Sequence, residues 1–84
     1  MWYVYILECA DSSLYTGITN DLEKRFSEHK KGEGGRYTRS HKPIRIIYSE
    51  KVISHSVALK REAEIKKWSR ERKIRMLNLK LSTS

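Results

Sequence analysis

The chain predicts an α+β fold: a small three-stranded sheet, antiparallel or mixed, flanked by helices in the order β-β-α-β-α-α. Three observations predict it. Two short aromatic and β-branched runs, residues 2–7 and 14–18, stand close together and are separated by turn residues. Apolar residues then recur at helical spacing in three later segments, each preceded by a side chain able to cap a helix. A third β-type run, residues 45–51, lies between the first of these helices and the other two. A sheet of three strands needs such helical cover to be stable.

Each element follows from local chemistry. The Asp-Ser-Ser cluster at residues 11–13 makes a hairpin the economical link between the first two strands. Alternation then places Tyr3, Tyr5 and Leu7 on one face, with Tyr15 and Gly17 sharing a face of the second strand. Asn20 is the expected cap of the first helix, with Asp21 in its first turn and Glu23 three residues after the cap. Arg25 and His29 flank the stripe marked by Leu22 and Phe26. Gly32, Gly34 and Gly35 end that helix, and residues 32–43 read as a long basic loop. Ser54 caps a helix reaching about Trp68, and Ser69 caps another with Ile74, Leu77 and Leu81 on one side. With 84 residues and no internal linker, one domain over residues 1–81 is expected, with residues 82–84 frayed.

Charge narrows the partners. The chain carries 18 Lys and Arg against 10 Asp and Glu, a formal charge of +8, which favours a polyanion. Residues 1–50 are net +1 and residues 51–84 net +7, and this asymmetry is more informative than the total. Cys9 is the single cysteine, so no intramolecular disulfide forms, and a reducing, cytoplasmic setting is expected. No apolar run approaches the roughly 18 residues of a membrane span. The lone Cys9 and the scattered His29, His41 and His55 make no zinc pattern.

Four side-chain types stand out chemically, each with an ordinary structural alternative. Tyr5 is either a core residue or a phenol that orients water or accepts a proton beside cations. Arg25 is either a surface side chain whose stem covers Phe26, or a planar fork for phosphate oxygens. His29 lies one turn further, on the same side, where it could relay a proton. Glu62 shares a face with Ala58 and Ile65; a carboxylate there needs an ion pair, with Arg25 or Arg61, or a hard cation. Mg²⁺ meets that need because it takes one or two carboxylates and keeps several waters. One glutamate implies one ion. Lys24, Arg36, Arg39, Lys42, Lys66, Lys67 and Arg70 are candidate phosphate contacts, and Tyr37 or Trp68 could stack on an exposed base, although Trp68 also suits the closure of a core.

Tyr3-Val4-Tyr5 and Tyr15-Thr16-Gly17, split by a hairpin and followed by a helical arginine and a late helical glutamate, resemble the signature of a stand-alone GIY-YIG nuclease domain of the small UPF0213 type. The resemblance implies a GIY-YIG fold and a metal-dependent DNA endonuclease using one Mg²⁺ or Mn²⁺. It implies Tyr5 and Tyr15 as the active-site tyrosines, Arg25 as the family arginine, His29 at a helical His or Tyr position, and Glu62 as the metal ligand. The chain departs from the pattern in Tyr3 for glycine, Thr16 for isoleucine, and Asn78, which stands far from Glu62. The resemblance implies DNA, branched or single-stranded, as the substrate, with any targeting supplied by a protein partner. A binding module of the same fold and a protein-interaction adaptor are the rival readings. The nuclease reading requires the tyrosines, Arg25 and Glu62 to converge around one open hollow.

Overall fold

The computed structural model describes residues 1–81; Ser82, Thr83 and Ser84, where fraying is predicted, lie outside the described residues. Seven elements follow one another: β1 (Trp2–Cys9), β2 (Leu14–Thr19), α1 (Leu22–Lys30), α2 (Arg36–Ser40), β3 (Pro43–Val52), α3 (His55–Lys66) and α4 (Arg70–Leu77). The sheet order is β2-β1-β3 and both pairings are antiparallel, which decides between the antiparallel and mixed alternatives. β1 is therefore the central strand, and every residue from Val4 to Cys9 is buried. That explains its near-continuous apolar run, which a strand covered on both faces requires.

Val4 and Ile6 point to one face, where they pack with Ala58 and Ile65 of α3 and with Leu79. Trp2, Leu14, Ile18, Trp68, Ile74 and Leu77 close around this cluster. Tyr5 and Leu7 share a face of β1 and Tyr15 and Gly17 a face of β2 as alternation predicts, and the register, Tyr5 opposite Gly17 and Leu7 opposite Tyr15, puts all four on the opposite face. α1 and α2 gather on that side. The β1–β3 register shifts between Ile6 and Leu7 and again between Glu8 and Cys9, and such bulges strengthen local twist.

The structure departs from the sequence reading in four places. The cap of α1 is Asp21, not Asn20: its carboxylate accepts from Lys24 N–H at 3.1 Å, while its own N–H donates to Thr19 Oγ1. The segment after α1 is not all loop but contains α2, a five-residue helix with no side-chain cap. α3 ends at Lys66, short of Trp68. α4 ends at Asn78, which adopts the left-handed conformation (φ 52) and returns its N–H to Ile74; Leu81 lies beyond the helix, and Leu79 fills the core instead. Asn78 is thus a helix terminator. Trp68 packs on the core, with the guanidinium groups of Arg61 and Arg72 over its ring at 5.5 and 5.3 Å from the ring centre.

Thr16 is 2% exposed and, among the described residues, its hydroxyl has no hydrogen-bond partner. A desolvated, unpaired hydroxyl costs roughly 1–3 kcal/mol. Thr16→Val keeps the shape and should raise stability by about 1 kcal/mol, read as a higher urea midpoint at unchanged slope. By the same measurement, Asp21→Ala should lose about 1 kcal/mol. Asn20→Ala should stay within about 0.5 kcal/mol.

Candidate active site

His29 is the centre of the opposite face. It is fully buried, with Nε2 2.8 Å from the Tyr5 hydroxyl of β1 and Nδ1 2.7 Å from the Thr38 hydroxyl of α2. Its ring meets Tyr15 edge-on at 5.2 Å and Tyr5 at 5.9 Å. Two glycines make room for this packing. A Cβ at Gly17 would stand 2.6 Å from the Tyr5 hydroxyl oxygen, and one at Gly34 would stand 2.3 Å from His29 Nδ1. No side chain fits at either position without displacing the ring it faces.

Arg25, one turn before His29, donates to the Gly34 carbonyl at 2.9 Å and pairs with Glu28 at 3.1 Å. Its guanidinium thereby holds the start of the α1–α2 connection against the helix while also lying beside the Tyr5 phenol. Of the sequence-predicted residues, Tyr5, Tyr15, Arg25 and His29 are brought together.

Burial sets the protonation of the pair at the centre. Desolvation pushes Tyr5 up to about 12, against the pull of Arg25, with the charges of Tyr15 and Glu62 adding to the rise. Desolvation, then the Arg25 charge, lowers His29 to about 4, with Glu28 opposing. At neutral pH the buried contact therefore joins a neutral phenol to a neutral imidazole.

The aromatic packing continues outward. Tyr15 meets Tyr37 at 5.5 Å, Tyr37 stacks on His41 at 4.2 Å, and His41 Nδ1 lies 2.6 Å from an Asp11 carboxylate oxygen. Tyr37 thus packs between Tyr15 and His41 and fastens α2 to the hairpin. Its ring is committed to these neighbours, which weakens its candidacy as a platform for a base. Arg36, Arg39 and Lys42 are exposed around it, and Lys24 is exposed on α1.

Glu62 stands on α3. Its ion pair is with Lys66 of the same helix at 3.2 Å, not with Arg25 or Arg61 as the sequence suggested. Arg61 is taken instead by Glu50 of β3 and by Glu64. Glu62 makes no hydrogen bond to the Tyr5 cluster among the described residues, but its charge is felt at the Tyr5 phenol, so the two lie within electrostatic reach. The described residues enclose no pocket around the cluster, so the expected hollow is replaced by a packed face on which Tyr15 and Arg25 are partly exposed. Lys67 is exposed at the end of α3, and Arg70 donates to the Ser12 carbonyl at 3.0 Å, clamping α4 to the hairpin turn.

Among the described residues no three His, Cys, Asp or Glu side chains come together, so an all-protein cage is absent. A single partly exposed carboxylate suits Mg²⁺ or Mn²⁺, whose other positions are filled by water and phosphate oxygens, once Lys66 gives way.

The family model for the GIY-YIG catalytic domain matches residues 1–75. This chain belongs to the GIY-YIG family. A UPF0213 protein of Staphylococcus saprophyticus is 45% identical over 76 residues, covering 90% of this chain and 93% of that one. Another from Syntrophus aciditrophicus is 51% identical over 76 residues, covering 89% and 87%. The solution NMR structure of a UPF0213 protein from Bacillus halodurans is 40% identical and superimposes with a TM-score of 0.59 over 93% of this chain and 84% of that one. A solution NMR structure of an Enterococcus protein, E. faecalis, is also 40% identical, with a TM-score of 0.63 over 90% and 81%. GIY-YIG proteins are a nuclease family whose members generally use divalent metals, and nucleic acid is the substrate class this implies. Among the described residues, no helix is long and apolar enough to cross a membrane.

In this GIY-YIG domain, sequence reasoning missed Thr38 and Gly34, which hold His29, and the Asp11–His41 contact. The one signal available was the Gly34-Gly35 pair inside a basic loop, a pattern that accompanies close backbone approach.

The His29 shift carries a pH consequence. The unfolded histidine titrates near 6.5 and the folded one at about 4, so between these values the unfolded chain binds more protons and stability falls as pH falls. Going from pH 7 to pH 5 should cost the wild type about 2 kcal/mol through this residue. In His29→Gln that acid-dependent loss should shrink, as urea titrations at the two pH values will show.

Proposed function

We propose that this domain is a metal-dependent endonuclease that hydrolyses DNA phosphodiester bonds, directed to its target by DNA structure or by a protein partner. The observation that supports the reading is the gathering of Tyr5, Tyr15, Arg25 and His29 over one sheet face, which supplies the grouping of side chains the reading requires but not the open hollow; Glu62 adds only a minor charge effect on Tyr5.

In this reading Arg25 binds a non-bridging phosphate oxygen and stabilises the charge that grows there in the transition state. The Tyr5 oxygen takes a proton from the attacking water while its own proton passes to His29 Nε2. The water oxygen bonds to phosphorus as the bond to the 3′-oxygen breaks, and the leaving oxygen recovers a proton from solvent. Tyr15 packs beside both rings and keeps them in place. Glu62 would hold one Mg²⁺ or Mn²⁺, which when bound supplies Lewis-acid stabilisation of the phosphate and the leaving oxygen. Lys24, Arg36, Arg39, Lys42, Lys66, Lys67 and Arg70 would follow the backbone. Among the described residues nothing resembles a helix-turn-helix or zinc-finger reader, so selectivity in this reading would come from DNA shape or a partner.

The test is incubation of purified protein with nicked, branched and single-stranded DNA in Mg²⁺, Mn²⁺ or chelator. Cleavage should require the metal. Arg25→Ala should lower the rate by roughly two to three orders of magnitude. Glu62→Ala should abolish cutting while DNA binding at low salt persists. Metal-independent binding without any cleavage would replace this reading with a binding module, and no binding at low salt would replace it with a protein-interaction adaptor.

A further inference from the structure

The geometry points to Thr38 as a positioning residue of the active site: its hydroxyl holds His29 in the tautomer whose bare Nε2 faces the Tyr5 phenol. This rests on the reading of Tyr5 and His29 given above and adds a member from α2 that no motif marks.

Both ring nitrogens of His29 are occupied inside the protein, Nε2 by Tyr5 at 2.8 Å and Nδ1 by Thr38 at 2.7 Å, and all three residues are at most 2% exposed. A neutral imidazole carries one hydrogen, so one nitrogen donates and the other accepts. Both hydroxyls can donate or accept, so either tautomer joins the three residues. With the hydrogen on Nδ1, the ring donates to Thr38 Oγ1 and the phenol donates to Nε2, which leaves the Tyr5 oxygen free to accept a proton in the field of the Arg25 charge. With the hydrogen on Nε2, the phenol would accept from the ring and could pass it no proton.

The arrangement with the hydrogen on Nδ1 is the one the reaction needs. Tyr5 accepts a proton from water only if its own proton has an acceptor, and Nε2 is bare in this tautomer alone. The fixed partner on the far nitrogen sets which nitrogen is basic, as outer partners of functional histidines do. The groups facing the ring are Tyr5 from β1, Tyr15 from β2, Arg25 and Glu28 from α1, and the neutral hydroxyl of Thr38 from α2; Glu62 of α3 acts on Tyr5. Among the described residues, Thr38 is the one group that bonds Nδ1. Its own position is secured by Tyr37, packed between Tyr15 and His41, and by Gly34, whose missing side chain lets the connection close over the ring.

The experiment is ¹⁵N NMR of the histidine rings in the full chain at neutral pH without DNA or metal, with His29→Gln to assign the signals. The wild type and Thr38→Ser should show a protonated Nδ1 and a bare Nε2 at His29. Thr38→Val should lose this preference, its two nitrogen shifts converging or exchanging. In cleavage assays Thr38→Val should lower kcat roughly 10- to 100-fold at unchanged KM, move the acid limb of the pH profile, and be rescued by Thr38→Ser. A wild-type His29 protonated at Nε2 overturns the proposal whether or not the valine variant folds, and so does a folded Thr38→Val with an unaltered tautomer. Because the ring signals need no substrate, they decide the role of Thr38 even if the wild type cuts no DNA, which would instead overturn the nuclease reading.

Discussion

The hydrogen-bond chain Tyr5–His29–Thr38 is the constraint on which the site face of the molecule depends. It joins β1, α1 and α2 through two contacts between residues 24 and 9 positions apart. Buried polar atoms without partners are costly, so three such groups packed together admit few arrangements other than the one that satisfies them all. The rest of that face follows. Gly17 and Gly34 lack side chains where the two rings need the space, and Arg25 turns back to the Gly34 carbonyl so that the connection lies against the ring. The same burial that makes the chain specific also suppresses its ionisation, keeping Tyr5 protonated and His29 neutral.

Charge plays a different part than the raw count implies. Of the basic residues in the C-terminal part, Arg61 is committed to Glu50 and Glu64 and lies over Trp68, Arg72 also lies over that ring, Lys66 pairs with Glu62, and Arg70 clamps the hairpin turn. In the N-terminal part, Arg45 pairs with the buried Glu8 of the central strand and reaches the Lys80 carbonyl. Much of the asymmetric charge therefore braces the helices against the sheet. The exposed cations of α2 and its flank, Arg36, Arg39 and Lys42, belong to a less basic stretch yet lie beside the tyrosines. Net charge selects a class of partner; these commitments determine where that partner is met.

What the sequence revealed divides along the same physical line. The strands, α1, α3 and α4 were legible because periodicity, caps and turn residues are local signals, whereas the register that sets Tyr5 opposite Gly17 is fixed by strand pairing, which alternation alone leaves open. The gathering of Tyr5, Tyr15, Arg25 and His29 was legible because two lie on a hairpin face and two lie one helical turn apart. α2 was hidden. A five-residue helix with no side-chain cap has almost no intrinsic stability and exists because Tyr37 and Thr38 are held by distant residues. The shift of the α1 cap from Asn20 to Asp21 turned on the Thr19 hydroxyl, a detail of strand ending that residue type alone does not show. The partner of Glu62 was misread because Arg61, the obvious candidate, was drawn to β3 by Glu50, a contact across 11 residues.

The resting protonation of the central pair bounds the chemistry proposed for it. With burial holding Tyr5 near 12 and His29 near 4, moving the phenol proton to the imidazole is strongly uphill in the free protein. An enzyme turning over at 1–1000 per second works against a total barrier of roughly 13 to 17 kcal/mol, so an unassisted transfer would take a large share of it. For the proposed reaction the transfer must become easier when substrate binds. Burial is the largest cause of both shifts, and charge is the part that binding can change: a phosphate engaging Arg25 would oppose the positive charge that adds to the depression of His29, and a divalent cation at Glu62 would oppose the negative charge that adds to the rise of Tyr5. Each would narrow the gap from its own side. In that reading the free domain rests in an unreactive protonation state, and phosphate and cation together would make the transfer easier.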